Sequence, residues 1–73
     1  MSRVIVAYDG TKYCFYEIND EGKAVRKECC KEAVHVKLSA PCELEGYSDA
    51  PGFVARCEGR AECKGSSLVV LGA

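Results

Sequence analysis

The six cysteines are the residues of this chain best suited to chemistry, at Cys14, Cys29, Cys30, Cys42, Cys57 and Cys63. Cysteines can form disulfides, bind a metal as thiolates or exchange electrons, and their spacing distinguishes these uses. A structural zinc site typically takes two ligands from one tight turn, separated by about two to four residues. The closest non-adjacent pair here, Cys57 and Cys63, has five residues between them. We therefore predict no bound metal, and a zinc-binding structural module is kept as an alternative.

A thiol redox site is the second use, and its usual Cys-x-x-Cys motif is absent from the chain. The adjacent cysteines Cys29 and Cys30 could bond to each other only in a strained geometry. In a β-strand, neighbouring side chains point to opposite faces, so these two cysteines would bond to different partners. The pattern therefore favours structural disulfides over a redox switch.

Local pairing supplies one hypothesis for the disulfide connectivity, although six cysteines allow many. The segment from Phe53 to Cys63 is interpreted as a hairpin with a loop at 59–61, which would place Cys57 opposite Cys63. Cys14 and Cys42 would then share Cys29 and Cys30. Each bond is expected to add about 2 to 4 kcal/mol, and a domain this short needs such cross-links because its core is small.

No catalytic constellation is visible outside the cysteines. The single histidine, His35, lies at an alternating position of a predicted strand, where a structural or exposed role is expected. Glu43 and Glu45 are two residues apart, so in a strand they would share one face as a solvated acidic edge. The chain also lacks nucleophile-elbow, zinc-protease and phosphate-loop motifs. We therefore predict no catalytic residue, no cofactor and no enzymatic activity.

The aromatic residues suggest an alternative function, because aromatic rings on a β-surface can stack on unpaired bases. They are Tyr8, Tyr13, Tyr16, Tyr47, Phe15 and Phe53. The cations that could contact phosphates around them are Arg3, Lys12, Lys23, Arg26, Lys27 and Lys37. The simpler interpretation is that most of the rings fill a small core. Binding of single-stranded nucleic acid by a small β-barrel is therefore kept as an alternative.

The charge balance argues against nucleic acid as the main partner. Ten basic residues stand against eleven acidic ones, and the formal net charge is −1. Nucleic-acid-binding domains usually carry a basic excess or a basic stripe. Nucleic acid is therefore not the expected partner. The partner is unknown from the sequence, and both a protein partner and a homodimer that forms by pairing of exposed strand edges are left open.

Two short apolar runs bear on localisation. Residues 4–8 are too few for a signal-peptide core, and residues 68–71 are far too few to span a bilayer. We therefore expect a cytoplasmic protein without membrane contact. Disulfide-rich cytoplasmic proteins are typical of hyperthermophiles. The chain has one asparagine, no glutamine and 29% charged residues, which also fits that origin.

The elements that would position these residues begin with a predicted hairpin. Arg3 to Tyr8 is rich in β-branched residues, Asp9-Gly10 favours a type I′ turn, and Tyr13 to Ile18 resumes the strand pattern. Parity then predicts the two faces of the hairpin. One face carries Val4, Val6, Tyr8, Tyr13 and Phe15, and the other carries Ile5, Ala7, Cys14, Tyr16 and Ile18. Because both faces are apolar, we expect the hairpin to be covered on both sides or to curl into a small barrel.

The rest of the chain predicts further strands at 34–38, 53–58 and 68–71, with an irregular loop over 42–52. The segment 23–34 is ambiguous between strand and helix, and strand is preferred. The sequence thus predicts one domain over 1–73: an all-β antiparallel meander or barrel of about five or six strands, stapled by disulfides. The alternative is an α+β fold, ββαββ, with a helix at 23–34. The predicted function is that of a structural or interaction module whose partner is unknown.

Overall fold

A computed structural model describes residues 2–72 of the chain, and its regular secondary structure consists of β-strands. The seven strands are β1 (Arg3–Tyr8), β2 (Tyr13–Ile18), β3 (Ala24–Cys30), β4 (His35–Ser39), β5 (Cys42–Glu45), β6 (Phe53–Lys64) and β7 (Ser67–Gly72). They form one mixed sheet in the order β3-β2-β1-β6-β7-β4, with β5 paired to β6. The predicted all-β class is therefore confirmed. The sheet is not a closed barrel, because within residues 2–72 β3 pairs only with β2 and β4 only with β7.

The first hairpin has the predicted strands and the predicted faces, since Val6 lies opposite Phe15 and Ala7 opposite Cys14. Its turn is different from the one expected. Gly10 has a φ of 101°, but no residue other than glycine has a positive φ within residues 2–72, so a type I′ turn is not formed. Instead, the Asp9 carboxylate accepts hydrogen bonds from the backbone amides of Thr11 and Lys12, at 2.8 and 2.9 Å. Such a side-chain bond to the backbone two residues on is a frequent way for aspartate to make a turn.

The ambiguous segment 23–34 is strand β3 followed by a short turn, so the helix alternative is wrong. The preceding turn brings β3 back onto β2, because the Asn19 side chain accepts hydrogen bonds from the amides of Glu21 and Lys23. Antiparallel pairing with β2 then satisfies the β3 backbone on one side. Here tertiary pairing overrides the helix propensity of the Ala, Lys and Glu residues.

The region from Phe53 to Lys64 is one continuous strand, so the predicted hairpin with a loop at 59–61 is wrong. Residues with odd numbers between 53 and 63 are small or apolar and face the core, while those with even numbers from 56 to 64 are charged and exposed. This alternation has a period of two and is not interrupted at Gly59. An uninterrupted period of two indicates one strand.

Gly59 is the position at which β6 changes partners. Residues 53–58 pair with β1, whereas residues 59–64 pair with β7. A Cβ atom at position 59 would lie 2.0 Å from the carbonyl oxygen of Leu71, so only glycine allows this approach. We call β3, β2, β1, β5 and residues 53–58 the five-stranded half. Residues 59–64, β7 and β4 form the three-stranded half.

The last strand changes the expected topology. β7 lies between β6 and β4, is antiparallel to β6 and is parallel to β4. β4 and β5 follow each other closely in the chain and run in the same direction. β5 pairs with β6 directly, whereas β7 separates β4 from β6. The sheet is therefore not a pure antiparallel meander, and residues 42–45 form a strand within the segment predicted to be a loop.

One apolar core joins the two halves. Its buried members come from β1, β2, β3, β6 and β7 and from the turn after β3: Val4, Val6, Tyr13, Phe15, Cys30, Ala33, Phe53, Ala55, Cys57, Leu68 and Val70. Each fully buried valine, leucine or phenylalanine stabilises the fold by about 1.5 to 3 kcal/mol. Because both halves contribute, the core is the inner side of the curved sheet, and the opposite side faces outward.

Candidate interaction surface

Two of the three disulfides join residues that are already neighbours in the five-stranded half. Cys14 and Cys29 lie opposite each other on β2 and β3, with Cα atoms 3.9 Å apart. Cys42 and Cys57 lie opposite each other on β5 and β6, with Cα atoms 4.1 Å apart. Both bonds reinforce strand pairs that also have a backbone ladder.

The third disulfide, Cys30–Cys63, joins β3 to the three-stranded half, and these two strands do not pair. The predicted Cys57–Cys63 bond is wrong, because both residues lie on β6. Of the remaining prediction, Cys14 does bond to Cys29, but Cys42 bonds to Cys57 and not to Cys30. As expected from strand parity, the adjacent Cys29 and Cys30 bond to different partners.

All six cysteines lie within residues 2–72, and each takes part in one of these bonds. Within residues 2–72, no group of three His, Cys, Asp or Glu side chains is placed to hold a metal ion. His35 is exposed on β4, opposite Ser67. Glu43 and Glu45 are exposed on β5, and Glu45 accepts a 3.2 Å hydrogen bond from Arg56. These carboxylates form the solvated acidic edge that the sequence predicted.

Most of the aromatic rings are unavailable for stacking on a ligand. Tyr13, Phe15 and Phe53 are buried, and Tyr8 stacks on Tyr13 with ring centroids 4.3 Å apart. The Tyr13 hydroxyl donates a hydrogen bond to the Ser48 carbonyl. Burial, followed by the neighbouring Tyr8 and Asp49, raises the pKa of Tyr13. The exceptions are Tyr47, in the loop after β5, and Tyr16, which is partly buried on β2.

Tyr16 belongs to a row of side chains that crosses the five-stranded half. Directly opposed residues place five side chains on the same face. In order from β5 to β3 they are Glu43, Arg56, Ile5, Tyr16 and Arg26. We call this set the central row, and four strand spacings make it about 19 Å long. It has an apolar centre flanked by two arginines.

The face that carries the central row points away from the core, and we call it the outer face. Beside Ile5 and Tyr16 it holds Ala7, Ile18 and Val54, and none of these five packs against the core cluster. All five are partly buried, because neighbouring side chains shield them. Arg3 lies opposite Glu58 on the same face. The outer face thus combines apolar side chains with three arginines and three glutamates.

A groove of about 560 Å³ opens at one end of the outer face. Ile5, Ile18 and Pro41 form its apolar lining, while Arg3, Arg56 and Glu58 supply charge. The lining therefore combines positive, negative and apolar side chains. Such a lining is better suited to a protein surface, which is also part polar and part apolar, than to a single anionic group.

The other predicted cations are dispersed. Lys12 forms an ion pair with Asp9 at 3.6 Å, and Lys27 forms one with Glu17 at 3.7 Å. Lys23 lies in the turn before β3, and Lys37 lies on β4 in the other half. Only Arg3 and Arg26 of the predicted cations share a face with Tyr16.

Sequence reasoning did not place Arg56 and Glu43 in one row with Tyr16. The predicted hairpin over 53–63 would take residue 56 out of the centre of the sheet, and the predicted loop over 42–52 leaves no strand to carry Glu43. The alternation of charged residues along β6 was the signal that could have placed Arg56 on an exposed face.

Comparison with protein-family models, with curated proteins and with solved structures finds no match for this chain. Within residues 2–72, no helix has the length and apolar character needed to cross a membrane.

Proposed function

We propose that this protein is a non-catalytic interaction module that binds a protein partner through the outer face of its five-stranded half. The observation that carries the proposal is the central row, in which Ile5 and Tyr16 are flanked by Arg56 and Arg26. Tyrosine and arginine around an apolar centre are the residues that most often dominate protein–protein binding energy. The two cross-strand disulfides hold this surface in a fixed shape, which lowers the entropy cost of binding.

Photo-crosslinking tests the proposal. Benzoylphenylalanine replaces Tyr16 on the outer face in one protein and Lys37 on the three-stranded half in a matched control. Each protein is irradiated in a cell extract of the source organism, and adducts are identified by mass spectrometry. We expect a defined adduct from position 16 that excess wild-type protein abolishes. The proposal fails if position 16 gives no adduct, or if both positions give the same adducts.

Binding of single-stranded nucleic acid is the second candidate, and the observation in its favour is Tyr16 beside Arg26, with Arg56 two strands away in the same row. The three glutamates on the same face, Glu43, Glu45 and Glu58, oppose it because they repel phosphates. Retention on immobilised single-stranded DNA at low salt would support it, provided that Tyr16→Ala removes the retention. We expect no retention at about 50 mM salt, where phosphate contacts are strong.

We also propose that the protein works in the cytoplasm of a heat-adapted organism. Its composition and its three disulfides support this, since hyperthermophiles retain such bonds inside the cell. Thermal unfolding with and without reductant provides the test. Reduction is expected to lower the Tm by tens of degrees. A Tm below about 65 °C for the oxidised protein would contradict the proposed origin.

A further inference from the structure

The outer face is self-complementary, and we propose that it binds the outer face of a second copy of this chain. This inference rests on the proposed function and names its partner. The starting observation is the order of charges along the central row. Glu43 lies at one end on β5, Arg26 lies at the other end on β3, and Ile5 lies on the middle strand β1.

A two-fold axis parallel to β1 turns this order into complementary contacts. The axis places β1 over β1 of the second copy, β2 over β6, and β3 over β5. Ile5 then meets its own symmetry mate, and Tyr16 meets Arg56, a pairing that allows a cation–π contact. Arg26 meets Glu43, and the symmetry makes each of these contacts twice.

The apolar part of the remaining outer face fits the same arrangement, whereas Glu58 lies over the Ile18 end of β2 of the second copy and weakens the contact there. Val54 on β6 lies over the Cys14–Cys29 region of the second copy, and Ala7 lies near the axis, so apolar groups meet apolar groups. Arg3 also lies near the axis and meets its own symmetry mate. Its neighbour Glu58 lies directly opposite on β6 and offsets this like-charge contact.

The twist of the two sheets does not prevent the Arg26–Glu43 contacts. Two sheets that pack face to face are rotated by about 30° and lie about 10 Å apart. Arg26 and Glu43 lie two strand spacings from β1, or about 10 Å, so this rotation displaces them by about 5 Å. Arginine and glutamate side chains are long enough to span that displacement.

The size of the face predicts a weak dimer. It measures about 19 Å across five strands and about 20 Å along six residues, or about 400 Å² per copy. A stable interface buries about 800 Å² per partner, so we expect a reversible dimer that forms at high protein concentration. Because it depends on arginine–glutamate contacts, it weakens as salt is added.

Sedimentation velocity between about 20 µM and 1 mM tests the dimer with a charge exchange. Arg26→Glu and Glu43→Arg are each expected to weaken dimerisation by about tenfold, because each creates two like-charge contacts. The double variant Arg26→Glu/Glu43→Arg restores the attraction and is expected to return to within about threefold of wild type. Lys37→Glu, on the three-stranded half, serves as the control and leaves dimerisation unchanged. All three substituted residues are exposed, and thermal unfolding verifies that each variant folds.

The outcomes separate this inference from the proposed function. A wild-type chain that stays monomeric at 1 mM overturns the dimer, as does a double variant that remains as weak as the single variants. If the chain is monomeric but position 16 crosslinks a different protein, only the dimer is refuted. If the chain is monomeric and position 16 forms no adduct, both proposals fail.

Discussion

The two halves of the molecule are fastened by different forces. Within residues 2–72, all side-chain hydrogen bonds and ion pairs lie in the five-stranded half and its turns. Two of the three disulfides lie there as well. The three-stranded half is held by its backbone ladders, by buried Leu68 and Val70, and by Cys30–Cys63. The five-stranded half should therefore respond to pH and to single polar substitutions, and the three-stranded half should depend on its one disulfide.

The largest expected effect follows from removing that link. Cys30→Ala/Cys63→Ala should lower the free energy of unfolding by about 4 kcal/mol, because the bond closes a loop with a sequence separation of 33. The matched control, Cys14→Ala/Cys29→Ala, opens a separation of 15 and should cost about 3 kcal/mol. Urea unfolding measures both values.

Hydrogen exchange distinguishes the two double variants more sharply than their total stability. Loss of Cys30–Cys63 should accelerate amide exchange in β4 and β7 more than in β1, since within residues 2–72 it is the one disulfide that joins the two halves. Loss of Cys14–Cys29 should accelerate exchange mainly in β3. Equal acceleration throughout the sheet in both variants would show that the halves unfold as one unit.

The next effect concerns the close approach of β7 to Gly59 on β6, the strand that both halves share. Gly59→Ala places a methyl group against the Leu71 carbonyl oxygen, so either β6 or β7 must move, and we expect a loss of about 3 kcal/mol. Gly22→Ala is the control, since Gly22 has a φ of 82° but no neighbouring atom within 4 Å of the added group. Its expected cost is about 1 kcal/mol, from the backbone conformation alone. Similar unfolding free energies for both variants would refute the close approach at Gly59.

A smaller effect is expected where the loop 46–52 meets the first hairpin. Tyr13→Phe removes the hydrogen bond to the Ser48 carbonyl and should cost about 1 kcal/mol at pH 7. The pKa of Tyr13 is higher in the folded protein than in the unfolded chain, so the Tyr13 hydroxyl ionises first in the unfolded chain as pH rises. This contribution to stability is present below about pH 10 and is lost above it. The difference in unfolding free energy between wild type and Tyr13→Phe should therefore shrink between pH 9 and 11.

The smallest effect concerns the first turn. Hydrogen bonds from the backbone of Lys12 and Thr11 hold the pKa of the Asp9 carboxyl well below its usual range. Its stabilising contribution is complete above the unfolded pKa of about 4, and it is lost as pH falls from there towards the lower folded pKa. Asp9→Asn should reduce the loss of Tm between pH 5 and 2. An unchanged acid profile in this variant would show that other carboxylates control it.

Sequence reasoning was most successful where partners are close along the chain. The boundaries and faces of the first hairpin follow from residue alternation and a short loop, and both are confirmed. It failed at 59–61, because Gly59 was interpreted as a turn although its role is to allow β6 and β7 to approach. The Cys30–Cys63 bond could not be predicted from the sequence for a related reason. It joins β3 to β6, which do not pair with each other, so no strand register places the two cysteines side by side.

The candidate surface was predicted only in part. Arg3, Tyr16 and Arg26 were named as a ring and its cations, and the structure does place them on one face. The contributions of Ile5, Arg56 and Glu43 depend on the registers of β6 against β1 and β5. Those registers join residues about 13 to 51 positions apart, such as Glu43 to Arg56 and Ile5 to Arg56, and local patterns do not specify them.

Because Cys29 and Cys30 are adjacent, disulfide formation can distinguish the native register of β3 against β2 from a shifted one. If β3 slipped by one residue, Cys30 would face Cys14 and Cys29 would move opposite Phe15, about 7 Å from the site that Cys30 occupies beside Cys63. Cys29 and Cys63 would then remain as thiols, able to attack the misplaced bond and exchange it. Only the native alignment consumes every thiol, so the covalent chemistry ends when the strand is correctly placed.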